Sequence, residues 1–188
     1  VHGASADDVW VGGLSGALLR WDGAAWEDYS LPVEEAVWGV HALAPDDVWA
    51  VGGLSRWGGS SPLVQHFDGA SLSAVPLPAE AEGVQNIFKV HAAGPADPGR
   101  VWLVGEGGAA FVGDASGLAP VATGFGMDLV TVTGWGESVV AVGGRNTGSV
   151  FTPEGAALAS RARTPAGLNG VAAVDDERVF VAGERGYA

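Results

Sequence analysis

The chain has 188 residues, a formal net charge of −13 and no cysteine, with 47% hydrophobic and 16% charged residues. These values fit one folded domain with a real core and exclude a disulfide framework or a thiolate metal site. A nucleic-acid partner is also excluded, because Lys89 is the only lysine and the arginines are scattered from Arg20 to Arg185, whereas binding phosphates needs clustered cations.

Thirty-one glycines, 10 prolines and 8 tryptophans favour short strands and tight turns over helices. The predicted strands fall into repeating units. Unit one opens at His2, continues through DDVWVGG (7–13) and LLRWDG to Gly23, and ends in a strand over 26–29. Unit two repeats the order with His41, DDVWAVGG (46–53), LVQHFDG to Gly69 and a strand over 72–77. Unit three has His91, RVWLVGEGG from Arg100, AAFVGDASG to Gly117 and a strand over 118–122. Unit four has SVVAVGG from Ser138, SVFTPEG to Gly155 and a strand over 157–162, and RVFVAG from Arg178 belongs to a fifth, half-built unit. Aligned on Val9, Val48, Val101, Val139 and Val179, the copies are spaced 39, 53, 38 and 40 residues apart. No apolar run approaches the ~20 residues that span a bilayer.

VWV and VWAV are continuous apolar runs, as expected for a strand covered on both faces, while LVQHF alternates like a more exposed one. Asp22-Gly23 and Asp68-Gly69 supply the positive φ angles of tight hairpins. Each unit therefore reads as a four-stranded antiparallel meander that cannot bury both faces alone and must stack on its neighbours. The expected fold is an all-β β-propeller of about four and a half blades. The blades are placed at 1–36, 37–83, 84–128, 129–168 and, half complete, 169–188. Closing a ring would take further residues or another chain.

The phrases at 7–13 and 46–53, with WDGAAW at 21–26, resemble the bacterial propeller repeats of exported and lipoprotein-type surface proteins. Unit two, with Gly52-Gly53, Phe67 and VPLP from Val75, is similar to a kelch blade. WDGAAW resembles a shortened Asp-box, without its Ser/Thr-x-Asp-x-Gly order. The resemblance implies a propeller fold and a periplasmic, cell-surface or secreted location, and it carries over no active site.

Candidate chemistry is sparse. His2, His41 and His91 share one position on the first strand, nearest the axis, where imidazoles could hold a metal or simply pack. Packing is preferred, because a metal needs its ligands converging within a few ångströms. His66 reads as a half-exposed filler. The acids Asp7-Asp8, Asp46-Asp47, Asp97 and Asp175-Asp176 recur between strands one and two, and are read as capping their own turns. GEGGAA (105–110) matches a dinucleotide fingerprint loosely but has no following helix to hold a pyrophosphate. No catalytic residue, metal site or cofactor is assigned.

In such a meander the turns between strands one and two and between three and four emerge at one end. The other connections (55–62, 79–86, 124–128, 145–148 and 163–168) emerge at the opposite end and vary between units. Variable connections on a constant scaffold are where specificity is placed, and Arg56, Trp57, Arg145 and Asn146 are the expected ligand-binding residues. The expected function is a non-catalytic module presenting a rigid face to a protein or glycan partner. The alternatives are a glycan-active propeller enzyme with catalytic residues outside this segment, and a structural repeat in a larger assembly.

Overall fold

The computed structural model describes residues 1–55, 61–92, 100–135, 138–175 and 177–188. Four four-stranded antiparallel sheets follow one another, each with its strands in chain order, and a two-stranded sheet comes last. The first contains β1 (His2–Ser5), β2 (Asp8–Gly12), β3 (Leu18–Trp21) and β4 (Trp26–Asp28). The second contains β5 (Glu35–Ala44), β6 (Asp47–Ser55), β7 (Leu63–Phe67) and β8 (Leu72–Ala74). The third contains β9 (Ile87–Ala92), β10 (Val101–Gly105), β11 (Ala110–Asp114) and β12 (Gly117–Pro120). The fourth contains β13 (Leu129–Trp135), β14 (Ser138–Gly143), β15 (Gly148–Glu154) and β16 (Ala157–Thr164), and the fifth β17 (Leu168–Ala173) and β18 (Val179–Gly183). Among the described residues no helix is long and apolar enough to cross a membrane.

First strands of successive sheets touch, β1 against β5, β5 against β9, β9 against β13 and β13 against β17. They therefore surround a common axis, and the outermost strand β4 is exposed along its length. The core lies between sheets rather than within them. Trp10 and Leu18 pack with Val40, Val48 and Phe67 of the second sheet. Trp49 and Val51 pack with Val90, Val101 and Leu103 of the third. Trp102 and Val104 pack with Val132, Val139 and Phe151 of the fourth. In the first three copies the motif's tryptophan faces the following sheet, and in the second and third the valine before it, Val48 or Val101, faces the preceding one. This explains the unbroken apolar run, which is the signature of a strand buried on both faces.

The strand register contains a second repeat. Val37 pairs with Gly52 and Gly39 with Val51, so Trp38 is an extra residue opposite the Val51-Gly52 step. The same one-residue bulge places Phe88 opposite Val104-Gly105, Val130 opposite Val142-Gly143 and Asn169 opposite Ala182-Gly183. A β-carbon at Gly52 would run into the Ala36 carbonyl, and one at Gly143 into that of Asp128. The glycine of the motif is thus required by close backbone approach at a bulge.

The connections sort to two ends. The β-carbon of Asp7 lies against Gly23, and that of Asp46 against Gly69, which joins the strand one–two and three–four turns at one end. At the other end Gly16 donates to the Glu35 carbonyl at 2.7 Å, and Gly53 bridges to Asn86.

Candidate functional site

Three places concentrate chemistry: the axis, the end carrying the short turns, and the end carrying the variable connections. On the axis, His2, His41 and His91 pair in register with Trp10, Trp49 and Trp102, and the following sheets put Thr133 and Ala172 at that position. His2 and His41 stack with ring centroids 4.2 Å apart, and His91 meets His41 edge-on at 5.0 Å. The Ala42 N–H donates to His2 Nδ1 at 3.0 Å, which leaves the proton of the neutral ring on Nε2. Burial first, and then the neighbouring histidines and Lys89, push His41 down to about 3. Burial, His2 and Lys89 push His91 down to about 4. Stacked neutral rings present faces rather than lone pairs to one another. Among the described residues no group of three or more His, Cys, Asp or Glu side chains is arranged to hold a metal ion.

At the short-turn end, the expectation that both motif aspartates cap their own turns is corrected. Asp8 is buried and accepts from Arg20 Nε at 2.7 Å. Asp47 accepts from Trp49 Nε1 at 3.1 Å, and its carboxylate lies 2.9 Å from His66 Nε2. His66, read as a filler, is therefore the second unit's counterpart of Arg20, each lying across from the motif's tryptophan on strand three. Local capping falls instead to Asp22, which accepts from the Ala24 and Ala25 N–H groups, and to Asp68, which accepts from those of Ala70 and Ser71. Those backbone bonds hold both carboxyls below the usual carboxylate range. Asp175 does cap its own turn, through the Glu177 and Arg178 N–H groups. Asp97 and Asp176 lie outside the described residues.

At the variable end, Arg145 and Asn146 line a cavity of about 470 Å³ with Asp128, Val130, Asn169 and Glu184. Asn146 adopts a left-handed backbone with φ of 65°, and its N–H donates to Glu184 Oε2 at 3.0 Å. Arg145 is exposed and forms no ion pair among the described residues. Two more carboxylates brace this end in the same manner, Asp128 accepting from the Gly107 N–H at 3.0 Å and Glu106 from the Gln85 N–H at 3.2 Å. Arg56 and Trp57, the other two expected ligand-binding residues, lie outside the described residues.

No family model matches the chain, and the search of curated proteins gave no match. Solved structures do match. A structure described as YCF48 bound to D1 peptide aligns with 97% of this chain at a TM-score of 0.70 and 20% identity. YCF48 from Cyanidioschyzon merolae aligns with 96% at a TM-score of 0.65 and 17% identity. The fold is that of a β-propeller. This chain spans 58% and 61% of the length of those two propellers, and it contains about four and a half blades.

Sequence reasoning misses Asp128 and Glu184, which reach the cavity from connections other than that of Arg145, and Asn169, which the bulge of β17 brings to it. One signal was available. GEGG at 105–108 recurs as GERG at 183–186. Both form a single 3-10 turn with a left-handed third residue, Gly107 or Arg185. Pairing the two copies identifies Glu106 and Glu184 as equivalent positions, each donating its N–H to the connection that enters its sheet, at the Asn86 or Gly167 carbonyl, and removes the reason to consider a nucleotide fingerprint.

Proposed function

We propose that this propeller is a non-catalytic binding module that takes an extended segment of a protein partner across the variable-connection end. The observation that carries the reading is the cavity between the fourth and fifth sheets. There an arginine with no ion-pair partner among the described residues and Asn146, on one connection, meet Asn169 at the start of β17 and the carboxylates of Asp128 and Glu184 from two further connections. A guanidinium such as that of Arg145 offers N–H donors to peptide carbonyls, and the Asn146 and Asn169 amides can both donate and accept. Such a set reads a backbone without requiring chemistry of it. Arg56 and Trp57 join this proposal from their place in the 55–62 connection. The D1 peptide named with the YCF48 structure shows a propeller of like fold taking a peptide, and it supports the same class of partner here. The periplasmic, surface or secreted location implied by the repeat resemblance is part of the proposal.

The test is selection from a displayed library of random peptides, followed by affinity measurement with the Arg145→Glu variant. Arg145→Glu is expected to weaken the selected peptides by about tenfold or more, the scale of one lost anchoring contact. Asp46→Asn at the short-turn end is expected to leave them unchanged. Selected peptides that bind Arg145→Glu as tightly as the parent would overturn the reading.

A further inference from the structure

The strands that border the axis carry their side chains in layers. His2, His41, His91, Thr133 and Ala172 hold one register position. Two residues earlier, Gly39, Lys89, Thr131 and Gly170 hold another. The layers are about 7 Å apart, two residues of strand rise. Lys89 is the chain's only lysine. Besides the histidines, it shares these five strands with one other charged side chain, Glu35 at the far start of β5. Its own layer gives it two glycines and a threonine for company, and it has no ion-pair partner among the described residues. Its charge nevertheless reaches the layer below. After burial, it helps to lower the pKa of His2, His41 and His91 alike.

A half-buried ammonium without a carboxylate, in a chain of 22 acids and net charge −13, is costly where a pairing acid would relieve it. The groups beside it are donors instead. The neutral imidazoles each carry one N–H, and His2, whose Nδ1 accepts from Ala42, carries it on Nε2. Centroid spacings of 4.2 and 5.0 Å set the three rings side by side, so donors on their edges can reach a single ion. The field of the whole chain repels anions, so a site for one must be local, and Lys89 is the cation on the axis. We propose that the axis holds a small oxyanion, bound to the Lys89 ammonium and to imidazole N–H groups of the histidine layer. None of these residues lines the Arg145 cavity, so this site stands or falls apart from the binding reading above.

The imidazole proton NMR signals test this, followed at pH 7 during titration of the 188-residue chain with sodium phosphate or sodium acetate, and with sodium chloride as the ionic-strength control. The signals of the axial histidines are expected to shift along one saturation curve, while His66, on a third strand, stays in place. Tighter binding of phosphate would identify a tetrahedral oxyanion as the ligand, and tighter binding of acetate a carboxylate. Lys89→Gln should weaken the bound anion by about tenfold or more, and Lys89→Arg, which keeps the charge, should retain most of the affinity. Arg161→Gln, on the outer strand β16, should change nothing. The bound anion should also raise the melting temperature of the parent and not that of Lys89→Gln. The inference is overturned if neither oxyanion gives a saturable shift beyond that of chloride, or if the axial signals move no more than those of His66. Undiminished binding in Lys89→Gln overturns it as well.

Discussion

His41 carries the largest electrostatic consequence of any single residue on the axis. Folding buries its ring between His2 and His91 and near Lys89, all of which disfavour a second charge, and its pKa falls from 6.5 to about 3. His91 falls to about 4 for the same principal reason. Between pH 6.5 and those values the unfolded chain binds more protons than the folded one, so stability must decline as the pH falls below 6.5 and stay level above it. The slope is at most about 1.4 kcal/mol per pH unit for each ring. The turn carboxylates Asp22, Asp68 and Asp114 are also held low, by backbone and serine hydrogen bonds, but they titrate below the ordinary aspartate value of 3.8. The interval from pH 6.5 to about 5, above the range in which unfolded aspartates take up protons, therefore isolates the histidines. Urea midpoints measured across it should drop in the parent and drop less in His41→Phe; identical profiles for the two proteins would show that the ring is solvated.

Among the elements, the second strand dictates the shape of the first. The step that ends in the motif's glycine, Val-Gly in three sheets and Ala-Gly in the fifth, sits opposite a bulge in each of the last four sheets, and the absent β-carbon is what lets the bulged backbone come close. Gly52→Ala should therefore cost about 2 kcal/mol or more, since the new methyl meets the Ala36 carbonyl and neither strand can retreat. Gly117→Ala, where nothing lies within 4 Å and φ is not positive, should leave stability unchanged or slightly raised. Comparable losses at the two sites would mean that the bulge yields easily. This contrast also shows what is legible in the sequence. The strand order, the hairpins at Asp22-Gly23 and Asp68-Gly69 and the both-faces-buried second strand all follow from local pattern. The bulge does not. Its extra residue is tryptophan, phenylalanine, valine or asparagine, with no composition in common, and only the partner strand's glycine betrays it. The roles of Asp8 and Asp47 are hidden for a related reason: in DD both residues look like turn caps, and only the register to strand three separates the residue that turns inward. Of the residues lining the 470 Å³ cavity, Arg145, Asn146 and Asp128 lie on connections that the sequence shows to vary between units, whereas nothing in the local pattern brings Glu184 and Asn169 of the fifth sheet to them.

Across the whole molecule, a side chain's burial depends on the neighbouring blade more than on its own. Trp10, Trp49, Trp102, Val140 and Phe180 occupy one register position. The first four are buried because a following sheet covers them, whereas Phe180, on the last sheet of this chain, is 64% exposed. Stability in such an array is close to a sum of unit terms and nearest-neighbour interfaces, so equivalent substitutions should have unequal costs. Trp49→Ala opens a void between the second and third sheets, where Val90, Val101 and Leu103 lose their packing partner, and should cost about 3–5 kcal/mol. Phe180→Ala, made in the same 188-residue chain, removes little that is shielded from water and should cost less than about 1 kcal/mol. Urea unfolding of both variants checks this. Equal losses would mean that the tryptophan is held by contacts within its own sheet, and the stacked arrangement that positions both the axial histidines and the Arg145 cavity would have to be given up.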